Sequence, residues 1–321
     1  VTALAEGRRA AREGAALFDA AAWGRVLLRG PDRRTFLHGL LTSDVKGLRP
    51  LSGQPSCLLT HKGKLVADFS LYDLGEEFLA VGAPGLADRL AAGLAKYLPL
   101  SDTTLEDAAA SRGAVCLWGP TAAEVARKVW GTAPDGAGVL TVARPGGESW
   151  LAGWPALRPA SVLAVFPASE AAALRAELAA AGAVPAEAAA WDAVRIEAGI
   201  PLFGADVDGE TYPAEAGLDG AVSYTKGCYL GQETTTRIKT QGKLPRRLAV
   251  LRVSGTAAAG AEVRAGGEPV GRVTSAAAVL EDGRSWAMAA LKRESAEPGT
   301  ALVVTAAGAG LPAEVAGPAP S

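Results

Sequence analysis

The sequence predicts an α+β chain of two or three domains that ends in a small closed or sandwiched β domain, and three observations carry that prediction. Its 321 residues exceed one ordinary domain, at roughly 100–200 residues each. From about Leu105 the apolar pattern runs β-α-β-β-β-α, which suggests a split-βαβ, ferredoxin-like middle unit over 105–189. After about Leu244, short apolar runs alternate with Gly, Pro and acidic turns, the pattern of a closed or sandwiched β domain over 244–321.

Residues 26–29 read as a strand, and Pro31 opens a helix in which Phe36, Leu37, Leu40 and Leu41 recur at helical spacing. Residues 56–60 form a second strand. Between Lys64 and Tyr72 the period drops to two, so Leu65, Ala67, Phe69 and Leu71 share the buried side and Asp68 faces the more polar one. Leu86, Leu90, Leu94 and Tyr97 mark an amphipathic helix that Pro99 stops. In the middle unit, strand 114–118 and helix 121–130 lead to strands 139–142, 149–152 and 162–166. Helix 170–181 follows, with Ser169 as its N-cap and Gly182 as its terminal glycine, and no final strand stands out. Helix 191–198 ends at Gly199 and Pro201. The last domain offers strands 248–253, 270–274, 285–290 and 301–305, then a frayed tail at 317–321. No repeat with a period of 20–50 residues is present.

Hydrophobic residues at 49% and charged residues at 21% describe an ordinary globular chain, and a net charge of −2 excludes a whole-surface attraction for nucleic acid. No stretch approaches 18 uninterrupted apolar residues, and Arg8, Arg9 and Arg12 flank no signal-peptide core. A cytoplasmic protein without a membrane segment is expected. Cys57, Cys116 and Cys228 lie far apart with no C-x-x-C pair, so reduced thiols are expected rather than a disulfide framework. A single C-x3-H half-site, Cys57 and His61, does not hold zinc. One well-placed thiol does not enclose an iron–sulfur cluster either, so no resident metal is expected.

The chemistry concentrates late in the chain. Residues 226–252 hold seven basic side chains (Lys226, Arg237, Lys239, Lys243, Arg246, Arg247 and Arg252) against one acid, Glu233, so the rest of the chain carries −8. Such a stretch is either an anion site or a solvated loop. Cys228 lies two residues after Lys226, between Gly227 and Tyr229, where a neighbouring cation favours thiolate. Cys57 and Cys116 have no such setting and read as small core residues.

The segment Lys226-Gly227-Cys228-Tyr229-Leu230-Gly231-Gln232-Glu233 resembles the signature of YgfZ-type folate-binding proteins, within the glycine-cleavage aminomethyltransferase (GcvT-like) superfamily. Gly30 to Val45, with Phe36-Leu37-His38-Gly39-Leu40-Leu41-Thr42-Ser43-Asp44, and Arg195-Ile196-Glu197-Ala198-Gly199-Ile200-Pro201 are similar to two further motifs of that superfamily. The resemblance implies an α+β, three-domain aminomethyltransferase-like fold with a ferredoxin-like middle unit and a C-terminal β-barrel. Residues 1–104 and 190–243 would form a discontinuous folate-binding domain around a central channel that holds tetrahydrofolate or a one-carbon derivative. It implies that Glu197 recognises the pterin, that Arg237, Tyr229, Gly231, Gln232 and Glu233 contribute to folate binding, and that Cys228, Lys226 and Asp68 carry the chemistry. It further implies a monomer whose partners are folate and iron–sulfur enzymes or their assembly proteins.

The leading expectation is therefore an accessory protein for iron–sulfur cluster assembly or repair, serving enzymes such as tRNA methylthiotransferases through Cys228. The alternative is a one-carbon (aminomethyl) transferase using Asp68. In GcvT proteins the strand carries a glycine pair followed by two aspartates, whereas here Gly63 to Asp68 retain one, with Ala67 in place of the other. An RNA-binding module ranks last, since Tyr229 is the single aromatic residue in the basic stretch.

Overall fold

The computed structural model describes residues 3–154, 161–242, 244–278, 283–306 and 308–318. The chain divides into two compact units. Val1–His61, Val66–Ala188 and Ala221–Leu230 make the first, and Lys62–Leu65, Ala189–Gly220 and Gly231–Ser321 the second.

In the first unit, α1 (Ala3–Glu13) leads to β1 (Ala16–Asp19), β2 (Gly24–Arg29), α2 (Arg33–Leu40), β3 (Gly53–Leu59), β4 (Leu65–Asp73), β5 (Phe78–Gly82), α3 (Leu86–Leu94) and β6 (Thr104–Asp107). There follow β7 (Arg112–Trp118), α4 (Ala122–Trp130), β8 (Val139–Arg144), β9 (Gly147–Gly153), β10 (Ser161–Pro167), α5 (Ala171–Ala180) and β11 (Val184–Ala186). One sheet is ordered β3-β4-β5-β2-β6 and the other β11-β1-β7-β10-β9-β8. The series β2-α2-β3-β4-β5-α3-β6 and β7-α4-β8-β9-β10-α5-β11 thus lay down their strands in the same spatial order, with β1 inserted in the second. Without β1 and β8 that sheet reads β11-β7-β10-β9, the ferredoxin-like order of a βαββαβ unit. The final strand that the sequence did not announce is the three-residue β11.

The short strand that precedes β2 and the one that precedes β7 each pair into the sheet of the other. β1 pairs with β7, and β6 pairs with β2. The exchange has a sequence signature with a period of 88–89 residues, beyond the 20–50 of solenoid repeats: Asp19-Ala20-Ala21-Ala22 with Gly30-Pro31, then Asp107-Ala108-Ala109-Ala110 with Gly119-Pro120. Asp19 Oδ1 accepts from Ala21 N at 2.8 Å and Asp107 Oδ1 from Ala109 N at 2.9 Å, so both corners are the same Asx turn. The buried guanidinium of Arg25 joins them, donating to Ala20 O, Trp23 O and Ala21 O of one corner and to Ala109 O of the other. Gly30 and Gly119 both have φ in the left-handed region, at 111° and 134°. A Cβ on Gly30 would lie 1.7 Å from Asp102 O and one on Gly119 2.3 Å from Gly14 O, so each glycine lets the exchanged strand's approach pass.

The sheets pack face to face through Leu27, Tyr72, Leu79 and Val81 of one and Ala114, Trp150, Leu163 and Val165 of the other. Their outer faces are covered by α2 and α3 (Leu37, Leu40, Leu86, Leu90) and by α4 and α5 (Val125, Trp130, Leu174, Leu178). Both faces of β2 and β7 are therefore buried, which explains why those strands read as apolar runs rather than alternations. Gly182 closes α5 with φ 108°, as its sequence position suggests. Ser169 does not cap α5: it lies inside a 3-10 turn, Ala168–Glu170, and Glu170 takes the N-cap position without a side-chain bond.

The second unit contains α6 (Ala188–Glu197), α7 (Gln232–Gln241) and a closed six-stranded barrel. Its strands are β12 (Arg246–Ser254), β13 (Glu262–Ala265), β14 (Glu268–Ala276), β15 (Arg284–Lys292), β16 (Ala301–Ala306) and β17 (Ala309–Pro318), in the order β12-β15-β14-β13-β16-β17. Leu251, Val263, Val273, Ala289, Val304 and Val315 fill it. Gly317 and Pro318 do not fray, because they pair with Val250 and Ala249 and help close the barrel. The rest of that segment, 319–321, lies outside the described residues. No helix among the described residues is long and apolar enough to cross a membrane.

Candidate functional site

Of the residues singled out from the sequence, Asp68, Lys226, Cys228 and Tyr229 belong to the first unit, and Glu197, Gly231, Gln232, Glu233 and Arg237 to the second. Asp68 sits on β4, where burial alternates from Leu65 to Phe69 with Asp68 on the partly open side, as the two-residue period predicts. Its Oδ1 is buried and has no hydrogen-bond partner among the described residues. Burial pushes this carboxyl up to about 6, against the smaller opposing pulls of its own backbone amide and of Arg89. A carboxyl of that kind holds or releases a proton near neutrality.

Cys57, on β3, is fully buried, and burial together with the Asp68 charge drives its thiol well above the usual range. Cys116 is likewise buried and raised. Both are core residues, as their sequence settings suggest. Cys228 is exposed. Gly227 beside it has an ordinary φ and no atom within 4 Å of where a Cβ would stand, so packing does not demand a glycine there; the left-handed residue of the motif is Gly231, with φ 82°.

Lys226 and Tyr229 come together. The ammonium lies 4.9 Å from the centroid of the Tyr229 ring, and the ring is buried. Lys226 Nζ donates to His38 O at 2.5 Å, Leu41 O at 2.5 Å and Ser43 O at 2.9 Å, at the C-terminal end of α2. Burial pulls the ammonium down to about 8, with Asp44 acting the other way. Three carbonyls, each holding one proton, oppose that loss as well.

In the second unit Glu197 is the last residue of α6 and is partly buried. Two residues earlier, Arg195 is buried and turned to other partners: Nη1 donates to Asp206 Oδ2 at 2.7 Å, Nη2 to Ser275 Oγ at 2.9 Å and Nε to Asp192 Oδ1 at 2.7 Å. Asp206 also accepts from Thr274 Oγ1 at 2.6 Å and Leu202 N at 3.0 Å. This network fastens the helix that presents Glu197 to barrel strand β14.

Gly231, Gln232 and Glu233 open α7, with Gly231 as N-cap, and Arg237 lies one turn beyond Glu233 on the same exposed face. The helix contradicts the solvated-loop reading of this stretch, and three consecutive threonines, weak helix formers, explain why the sequence does not announce it. The β3–β4 hairpin tip holds the start of α7. A Cβ on Gly63, φ 78°, would stand 3.0 Å from Thr234 Cβ and 3.4 Å from Gly231 O. Leu65 N donates to Thr211 O at 2.9 Å, and the Lys64 ammonium lies 3.8 Å from the Tyr212 ring centroid while bonding Glu210 O. The sequence marks Asp206 and Gly63 to Asp68 as parts of family motifs, but not the Arg195 partners or the contacts of the hairpin tip with α7. Arg237 borders a cavity of about 180 Å³ with Tyr212, Thr234, Ile238 and Gln241. Lys239, Arg247 and Arg293 border another of about 160 Å³. Either volume suits an anionic group rather than a whole cofactor. Lys243 of the basic stretch lies outside the described residues.

Comparison with known proteins gives these features a lineage. Residues 2–141 match the GCVT N-terminal domain and residues 246–320 the glycine cleavage T-protein C-terminal barrel domain. An aminomethyltransferase of Rubrobacter xylanophilus is 32% identical over 89% of this chain and 78% of its own length. One of Thermosynechococcus vestitus is 29% identical over 98% and 87%. The crystal structure of the glycine cleavage system aminomethyltransferase T from Bartonella henselae superposes with a TM-score of 0.86 at 23% identity, covering 97% of this chain and 88% of that one. The three-domain α+β fold with its closed C-terminal barrel is the fold of that structure.

Proposed function

Because the chain belongs to the aminomethyltransferase family of the glycine cleavage T-protein, we propose that it binds tetrahydrofolate and moves a one-carbon unit to or from it, with Asp68 as the acid–base group. The observation that carries this reading is the Asp68 carboxyl itself: one buried oxygen without a partner, and a proton affinity raised to about 6. A buried acceptor of this kind is costly unless a ligand supplies its donor, and the N–H groups of a reduced pterin are such donors. When bound, tetrahydrofolate supplies the nitrogen atoms that carry one-carbon units.

Asp68 would hold or accept the proton displaced at that centre, and Glu197 would accept hydrogen bonds from adjacent N–H groups of the pterin edge, a task for which a carboxylate's two oxygens are suited. Arg237 and the start of α7, Gly231 to Glu233, would contribute to holding the folate. The test is turnover. Purified protein given an aminomethyl donor and tetrahydrofolate is expected to form methylenetetrahydrofolate, and Asp68→Asn to slow the reaction about 100-fold or more. Absence of product from the native protein would contradict the reading.

A second reading is favoured by a separate observation: Cys228 is exposed while Cys57 and Cys116 are buried, and it stands in a motif with Lys226, Gln232 and Glu233 that resembles the YgfZ signature. Replacement of one family aspartate by Ala67 points the same way. In this reading the folate-loaded protein supports iron–sulfur enzymes in the cytoplasm through the Cys228 thiol. Cells carrying Cys228→Ala are expected to lose the activity of an iron–sulfur client such as a tRNA methylthiotransferase while the protein still folds. Full complementation by that variant would rule the accessory role out.

A further inference from the structure

The segment Ala221–Leu230 packs with the first unit although the residues on either side of it, Ala189–Gly220 and Gly231–Ser321, pack with the second. Something must hold ten residues against the sheet layer, and Thr42 and Lys226 do so. Thr42 Oγ1 donates to Ala221 O at 2.6 Å, and Thr42 O accepts from Ser223 N at 2.9 Å. Ser223 Oγ in turn accepts from Lys226 N at 3.2 Å. Lys226 Nζ then spends its donors on His38 O, Leu41 O and Ser43 O.

The receiving loop is itself fixed. Thr42 N donates to Cys57 O at 3.0 Å, Cys57 N to Thr42 Oγ1 at 2.9 Å, and Ser43 Oγ lies 2.7 Å from Ser56 Oγ, so both residues are tied to β3. Of the three carbonyls that hold the ammonium, His38 O is in the last turn of α2, Leu41 O is at its C-cap and Ser43 O is in the loop that follows, and the negative end of the helix dipole favours a cation there.

We infer that Lys226 is a positioning residue: its ammonium fastens the Cys228-bearing segment to the C-terminal end of α2, with Thr42 as the second fastening. An ammonium has three protons, and here each is committed to a backbone carbonyl. None is left for a substrate, and transfer of one would loosen the segment. This inference rests on assigning the 226–233 motif to the working site, but the fastening can be measured without any catalytic assay.

Hydrogen exchange of the full-length protein, read by mass spectrometry, is the test. Lys226→Met is expected to raise exchange across 221–230 on the order of tenfold while peptides from β4 and β7 keep wild-type protection, and to change the alkylation rate of exposed Cys228 by iodoacetamide. In a Cys228→Ser background, Lys226→Cys aminoethylated with bromoethylamine restores an ammonium at nearly the same reach, and is expected to restore protection. Unchanged exchange in Lys226→Met, or no recovery on aminoethylation, would overturn the inference. Should Lys226→Met lose protection throughout, acylation of the native protein decides: Lys226 is expected to react about tenfold more slowly than exposed Lys62 and Lys96. Equal reaction would overturn the inference equally.

Discussion

A carboxyl group deprived of water keeps its proton to higher pH, and Asp68 is buried on its strand with one oxygen, Oδ1, lacking a hydrogen-bond partner among the described residues. The consequence for stability has a definite sign. The folded state holds the Asp68 proton more tightly than the unfolded chain, so its contribution is fully present below about pH 4 and is lost as pH rises through about 6, on the order of 3 kcal/mol in all. Asp68→Asn is expected to flatten that part of the stability curve in urea melts between pH 4 and 7; an unaltered slope would show that Asp68 titrates normally. The thiols differ as sharply. Native protein is expected to take up one equivalent of iodoacetamide, at Cys228, and three after denaturation. The setting of Cys228 was legible in its glycine and cation neighbours. The partners of Lys226 were not, because they are backbone carbonyls more than 180 residues away in the chain, and a carbonyl carries no side-chain signature.

At the scale of elements, the exchanged strands explain why two glycines recur in corresponding places and why one buried arginine, Arg25, bonds both corners. Gly30 and Gly119 each sit at the end of the first strand of a half, with φ at 111° and 134° and no room for a Cβ. Gly30→Ala and Gly119→Ala are expected to cost comparable amounts, at least about 2 kcal/mol each in denaturant melts, since backbone must move in both cases. A small effect at either would mean that the two halves are not equivalent there. Most strands and helices of the first unit were legible from apolar period, including the β-α-β-β-β-α order. What escaped were α1 and β5, the short β1, β6 and β11, which draw their stability from pairing with distant strands rather than from their own composition, and α7, whose threonine run hides a helix pinned by Gly231 and by the β3–β4 hairpin tip. In the barrel, β13 and β17 were invisible because a four-residue strand and one rich in Gly, Ala and Pro carry little hydrophobic alternation.

At the scale of the whole molecule, the family's three motifs are dispersed along the chain, and Glu197 depends on a buried ion pair that the local sequence does not declare. Arg195 and Asp206 are 4% and 0% exposed in their side chains, and Arg195 has a second carboxylate in Asp192 whereas Asp206 has no other ion pair among the described residues, so removing Arg195 leaves Asp206 as a buried, uncompensated charge. Arg195→Met is expected to destabilise the second unit by about 3–5 kcal/mol, and the double variant Arg195→Met/Asp206→Leu to recover much of the loss. Additive losses would show that the pair is not coupled. The motif containing Arg195 and Glu197 was readable as a family resemblance, whereas the buried partners that lock Arg195 to Asp206 and to Ser275 of β14 required the structure. Folate recognition by Glu197 is the central claim, and calorimetric titration of tetrahydrofolate into the native protein and into Glu197→Ala tests it most directly. The account predicts saturable binding by the native protein and about 10–100-fold weaker binding by the variant, the loss that accompanies removal of a charged hydrogen-bond acceptor. Equal affinities, or no binding by the native protein, would contradict it.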